Sequence, residues 1–300
     1  QGAVYNVYKT SDGRIWVGTV SDLCYFDSKD TDLILSGKKD VNHMFIQDIY
    51  WGISNPTVHS VFEDSFKNVW IGSNGGGASF ISSTSSFFHS WKINKIPGVT
   101  NGLNDKEVLT ICVADNGNVW MGTDGGGINV NKDGKNGTIY SHNTGEISSN
   151  AYHSSLKDSN GDLWFGNMYN EIGIDIFLSK ENRFTHYTPQ GNNSIIYCLF
   201  EDNQRNVWIG SSNGLEIYNL ITKKKDFLNK DNSQLLTNEI RAVSQDKNGN
   251  IWIGTLNRGI SIYNPESKTM KHINEHTIFE NCAINQIFRD SKNRIWIATT

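Results

Sequence analysis

Residues 68–77 read NVWIGSNGGG, and residues 118–127 repeat them almost letter for letter as NVWMGTDGGG. Each stretch alternates apolar and small residues around a Trp and then breaks into three glycines. Such a glycine run is either a loop that cradles phosphate or a turn in a repeated unit. A phosphate loop opens a helix and carries Gly-Lys-Ser/Thr. Here Gly75, Gly76 and Gly77 lead instead into a second strand-like segment, ASFIS at 78–82, and that Lys is missing. The run reads as a turn.

The Trp positions make the repeat explicit. Seven of the nine Trp stand at 16, 70, 120, 164, 208, 252 and 296, at intervals of 54, 50, 44, 44, 44 and 44 residues. A period this regular is architecture before it is chemistry. An Asp precedes the Trp by six residues in five units (Asp64, Asp158, Asp202, Asp246, Asp290). A Gly follows it by two in six, and Ala298 takes that place in the seventh. Each unit parses into a short apolar strand, a polar Asp/Asn/Gly turn, the Trp strand, a second turn, a third strand and a later fourth. Four strands of about five residues with their turns fill about 44 residues, the size of one propeller blade.

The spacing therefore predicts an all-β chain with little helix: a seven-bladed β-propeller of four antiparallel strands per blade. Six blades are complete, and a half blade is formed by the first two strands of a seventh unit near the end. Trp16, Trp70, Trp120, Trp164, Trp208, Trp252 and Trp296 are expected to pack between neighbouring blades, and the repeated Asp to bond turn amides. Residues 1–300 are expected to be one propeller domain cut from a longer multi-domain chain. The half blade implies either such a cut or a last blade completed from elsewhere, and an open sheet edge would invite pairing with another chain.

Composition narrows the function. Net charge is −4 with a pI near 6.1, which argues against a nucleic-acid or anionic-membrane surface. The basic run Lys223-Lys224-Lys225 reads as a solvated turn. No apolar run approaches the roughly 18 residues of a membrane span, and the chain starts at Gln1 without a visible signal peptide, as a mature or excised segment would. Cys24, Cys112, Cys198 and Cys282 show no C-x-x-C spacing and read as buried thiols rather than zinc ligands. No cofactor and no metal site are expected.

The pattern D-x-x-G-N-hydrophobic-W-hydrophobic-G-T, followed by G-hydrophobic and Tyr-Asn, resembles the two-component regulator propeller repeat. QDKNGNIWIGTLNRGISIYNPESKTMKHI (245–273) carries nearly all of it. The resemblance covers essentially the whole chain. It implies a periplasmic sensor domain of a hybrid two-component system, in which two propellers commonly precede an immunoglobulin-like domain, a membrane helix and a histidine kinase. It also implies oligosaccharide or other small ligands, with a second propeller or a dimer partner in the full-length protein.

In an up-and-down blade the turns between strands two and three share a face with the blade-to-blade connections. The one–two turns, short and uniform here, lie on the other. Sequence variation falls on the first face, where binding is expected. Tyr50 and Trp51 fall in a blade connection, and Trp91 near the end of an outer strand. Six residues after the repeat Trp stands Gly in three blades (Gly76, Gly126, Gly214) but Asp22, Asn170 and Arg258 in three others. With Tyr169 these aromatic and polar residues are the ligand-binding candidates. They suit a sugar, whose C–H faces stack on rings while its hydroxyls need hydrogen-bond partners.

Catalysis has weaker support. The paired carboxylates Glu63-Asp64 and Glu201-Asp202 are repeat positions, and His272 and His276 lie in no clear helix. G-x-S-x-G is absent. A sialidase-type Asp-box needs its Asp five before Trp, an offset only Asp115 meets. Glu171 and Asp175 are the acid/base candidates that an enzyme reading would use. A protein-docking scaffold would require a large exposed apolar patch instead.

Overall fold

The structure is a computed structural model that describes residues 3–44, 55, 57–83, 88–91, 103–132, 136–169, 173–190, 194–273, 279 and 281–300. It contains six four-stranded antiparallel sheets: blade 1 (4–44), blade 2 (58–91), blade 3 (108–140), blade 4 (152–187), blade 5 (196–228) and blade 6 (240–273). In each, sequential strands are neighbours. A further two-stranded sheet pairs Ile284–Arg289 with Ile295–Thr299. The chain divides into two compact units, Gln1–Ile139 and Tyr140–Thr300, the division falling in the last strand of blade 3. Helix is confined, among the described residues, to Thr31–Leu35 and two short 3-10 turns. The five-residue helix fills the connection between strands three and four of blade 1, which contributes to the long 54-residue interval.

Blade 5 shows why the repeat folds as it does. Ile196–Glu201 pairs with Asn206–Ser211 across a four-residue turn, and Asp202 holds that turn together. Its Oδ1 accepts the backbone N–H of Gln204 (2.9 Å) and Asn206 (2.9 Å). Its Oδ2 accepts Asn206 Nδ2 (2.8 Å) and the indole Nε1–H of Trp208 (2.9 Å). The carboxylate thus does more than make an Asx-turn: it satisfies the one polar group of the buried Trp. Asp64, Asp158, Asp246 and Asp290 accept from Trp70, Trp164, Trp252 and Trp296 at 2.8, 3.0, 3.2 and 3.1 Å. In blade 1 the hydroxyl of Thr10 takes the role, accepting Trp16 Nε1 at 3.3 Å. In blade 3 Ala114 stands there.

The residue three after this position is left-handed in every unit: Gly13, Lys67, Gly117, Gly161, Arg205, Gly249 and Asn293, with φ between 63° and 94°. This is the backbone that glycine adopts without cost, which explains the Asp-x-x-Gly spacing. Lys67 and Arg205 hold it despite their side chains.

Packing between blades is directional. Trp16 joins Leu23 of its own blade to Val58, Val61 and Ile71 of blade 2. Trp70 packs on Val108 and Met121 of blade 3, Trp164 on Ile196 and Ile209 of blade 5, and Trp208 on Ile240 and Ile253 of blade 6. In blades 1, 2, 4, 5 and 6 the Gly two after the Trp lets the next first strand approach. A Cβ on Gly18 would lie 2.8 Å from Val58 Cγ1, one on Gly166 2.6 Å from Ile196 Cγ2, and one on Gly254 2.5 Å from Ile284 Cγ2.

The Glu before the Asp has its own task. Glu63 accepts the backbone N–H (2.6 Å) and hydroxyl (2.7 Å) of Ser11, in the one–two turn of the preceding blade. Glu201 does the same for Ser159, and Gln245 exchanges hydrogen bonds of 3.1 Å with Asn203. The paired carboxylates are therefore a turn clamp and an inter-blade clasp.

Candidate functional site

The turn between strands two and three is built alike in most blades. The residue three after Trp ends strand two and caps the turn through its side chain. Thr255 Oγ1 donates to Gly259 O (2.9 Å) and accepts the N–H of Arg258 (3.0 Å). Thr19 does this for Asp22, Thr123 for Gly126 and Ser211 for Asn213. In blade 4 the cap is Asn167, whose Oδ1 accepts the N–H of Tyr169 at 3.0 Å. Because the cap fixes the backbone, the tip side chains are free to vary.

The structure places Asp22, Tyr169 and Arg258 in equivalent turns of blades 1, 4 and 6. Asp22 lies in the first unit, where its carboxylate contacts His43 Nδ1 of the fourth strand. Tyr169 is 57% exposed, and Arg258 is exposed, both in the second unit. Trp91 closes the fourth strand of blade 2, its backbone paired with Ala78. Tyr50, Trp51 and Asn170 lie outside the described residues, as does Glu171.

A second set of residues lies in the third strands. In the third strand, the residue paired across from the one after Trp is polar and buried in five blades: Ser79, Asn129, Asp175, Glu216 and Ser261. Three of them dock the connection that enters their own blade. Asn129 accepts the N–H of Asn104 (3.1 Å) and donates to its side chain (2.7 Å). Glu216 accepts from the Tyr187 hydroxyl and the Gln190 N–H. Asp175 is 3% exposed and accepts the N–H (3.0 Å) and hydroxyl (2.7 Å) of Ser148 and the Tyr152 hydroxyl (2.5 Å), while His186 Nδ1 lies 3.2 Å away. Burial first, then the Asp175 charge, raises the Tyr152 phenol far above its ordinary range, and burial with Glu216 does the same to Tyr187. Asp175 is thus an anchor for the connection, with its lone pairs spent on that task. The signal was legible: a single acidic residue inside apolar strands, IDIFL and LEIYN.

Other titratable candidates also find local roles. His272 sits on a strand, Thr269–Ile273, with Nδ1 3.0 Å from Ser261 Oγ, and burial lowers its pKa. His276 lies outside the described residues. No disulfide joins the four cysteines. Burial pushes the Cys24 thiol up to about 11 and Cys198 up to about 12, so neither is a ready thiolate.

The repeat geometry agrees with a known family. The model of the two component regulator propeller matches residues 1–21, 52–75, 102–125, 190–213, 234–257 and 278–300. Six segments of the chain therefore match the two-component regulator propeller repeat. Blade 4 lies between the matched segments yet keeps the Trp, the Asp clamp and the four strands.

Among solved structures, the chain is similar to the extracellular domain of a protein assigned as a hybrid two component system of B. thetaiotaomicron, at 32% identity and TM-score 0.63, over 99% of this chain and 38% of that one. The extracellular domain of a protein assigned as a one component system of the same organism aligns at 18% identity and TM-score 0.77, over 99% and 37%. A catalytically inactive virginiamycin B lyase from Staphylococcus aureus with quinupristin aligns at 13% identity and TM-score 0.75, over 99% and 92%, a likeness of fold alone. The chain spans less than two fifths of the length of the two extracellular domains. No curated protein matches it. No helix among the described residues is long and apolar enough to cross a membrane.

Proposed function

We propose that residues 1–300 form one non-catalytic, ligand-sensing propeller domain in the extracytoplasmic part of a hybrid two-component signalling protein. The observation that carries this reading is the 32% identity over 99% of the chain to an extracellular domain of that type. In this reading the two-stranded sheet Ile284–Arg289/Ile295–Thr299 is the first half of a seventh blade, and the protein acts in the periplasm.

The ligand is an oligosaccharide or another small molecule held on the face of the two–three turns. Asp22, Tyr50, Trp51, Trp91, Tyr169, Asn170 and Arg258 contact it. Support comes from the turn architecture: side-chain caps hold the backbone while exposed Tyr169 and Arg258 stand at the tips. Binding biases the arrangement of this propeller relative to a second propeller or dimer partner, and so the kinase. The acid/base reading finds no support at Asp175, which is buried under its hydrogen bonds.

A thermal-shift screen against an oligosaccharide panel, with product analysis, tests the reading. A ligand that raises the melting temperature without turnover, and loses its effect in Tyr169→Ala or Arg258→Ala, supports it. Turnover of that ligand, or binding indifferent to these turns and to Trp51→Ala, overturns it.

A further inference from the structure

The second residue of each first strand lies at the end of the strand nearest the two–three turns. In the second unit these residues are His153, Tyr197, Arg241 and Asn285, all partly exposed. The first three form a contact row. The His153 and Tyr197 rings meet edge to face at 5.7 Å, and the Arg241 guanidinium carbon lies 3.9 Å from the Tyr197 ring centroid.

Arg241 is unusual in what it lacks. Among the described residues no carboxylate lies within ion-pair distance of it and none of its N–H groups is hydrogen-bonded; Nε is itself buried. An Arg carries five donors in a rigid planar fork. A buried donor without an acceptor is costly. The Tyr197 ring covers one side of the guanidinium and Nε is buried, so it is the terminal Nη1 and Nη2 of this partly exposed residue that would receive a planar carboxylate through two parallel bonds. Partial burial strengthens such a pair relative to one in water, and the stack lowers the ordering cost of binding. A stack needed only for packing would not require a cation at this position, since an aromatic or aliphatic side chain would cover Tyr197 without an unpaired donor.

We propose that Arg241, held against the Tyr197 ring, is the carboxylate-binding group of a subsite at the turn-face end of blades 4 to 6. Its ligand is an acidic saccharide carrying a uronate. Tyr197 and His153 set the position of Arg241, and the turn residues contact the rest of the ligand. This inference rests on the reading that this face binds a saccharide.

The test is calorimetry on the 300-residue protein with digalacturonate, cellobiouronate, their neutral counterparts galactobiose and cellobiose, and sodium sulfate. A uronate is expected to bind, weaken with added salt, and lose tenfold or more in affinity in Arg241→Gln, with partial recovery in Arg241→Lys. Circular dichroism and the melting temperature confirm that each variant is folded. Failure of both uronates to bind overturns the subsite, as does uronate binding that Arg241→Gln leaves unchanged. Neutral disaccharides that bind wild type and Arg241→Gln equally, while uronates do not bind, overturn the subsite but leave the sensing reading in place. Sulfate that competes as well as the uronate overturns the carboxylate assignment.

Discussion

Replacing Asp202 by Ala removes the acceptor of four hydrogen bonds at once. The four are not equal. Trp208 is 1% exposed, so its indole N–H finds no water and is left unsatisfied, at a cost of about 1–3 kcal/mol. Gln204 is exposed and Asn206 partly so, and water replaces their bonds at roughly 0.5 kcal/mol each. The sum is about 3 kcal/mol. Blade 3 sets an upper bound on the damage, because Ala114 occupies this position and the turn still closes: the Ala114 N–H bonds to Asn118 O at 3.0 Å and Gly117 N–H to Ala114 O at 2.9 Å. Asp202→Ala is therefore expected to fold. Urea denaturation followed by Trp fluorescence is expected to show the loss of about 3 kcal/mol with an unchanged m-value. The reciprocal change, Ala114→Asp, supplies the missing carboxylate in a sequence with the same Asn and Gly around it, and is expected to stabilise by about 1 kcal/mol. A loss below about 1 kcal/mol in Asp202→Ala would refute the assignment of the carboxylate as the partner that makes Trp208 burial affordable.

Three further outcomes follow from the same geometry. Gly254→Ala places a Cβ 2.5 Å from Ile284 Cγ2 and 2.8 Å from its Cβ, and is expected to cost about 1–3 kcal/mol in denaturant melts. Lys67→Gly relieves a left-handed non-glycine residue at φ 67° in an exposed turn and is expected to stabilise by about 1 kcal/mol, read as a raised melting temperature. Burial pushes Asp246 and Asp290 up, but their donors outweigh it and hold both carboxyls below the usual range. The stability they contribute is complete above the unfolded Asp pKa of about 3.9 and is lost as pH falls through the lower folded value. Melting temperature is expected to fall below about pH 4, with a shallower decline in Asp246→Asn.

The blade plan was legible because the residues that build it recur. Trp, the Asp six before it, the left-handed residue and the Gly after it are visible as a period, and the structure gives each a partner. The Glu before the Asp was recognised as structural, but not as a clasp, because its partner Ser159 lies 42 residues upstream and only the packing of one blade on the next brings them together. The helix at Thr31–Leu35 left no periodic signal at five residues in length. The face of the two–three turns was legible as a place where the repeat relaxes. The roles of individual side chains there were less so. Asp175 looks like a candidate acid in the sequence, and only its burial and the converging donors of Ser148 and Tyr152 turn it into an anchor. Arg241 was silent because a lone Arg in an apolar strand has no local motif; its meaning depends on Tyr197 standing 44 residues earlier in the neighbouring strand.

The contacts that join blades have a sense of direction. Trp16, Trp70, Trp164 and Trp208, each with its Gly, face forward to the next first strand, and Glu63, Glu201 and Gln245 reach back to the preceding turn. A blade therefore presents one kind of surface ahead and a different, complementary kind behind, and where a two–three turn joins in it does so through its backbone, as Val20 O accepts the Thr57 hydroxyl (2.8 Å) and the Gly77 N–H donates to Lys106 O (2.7 Å). Within one unit such modules can be copied, reordered or replaced by a relative with little re-matching of the join, because the joins share the Trp and its Gly, and two of them the clasp with an acidic residue. The tips, held by a Thr, Ser or Asn cap rather than by their own side chains, inherit none of that constraint. Recognition and assembly are thus written in separate letters of the same 44-residue word, and a lineage can rewrite what the face binds while leaving the stacking untouched.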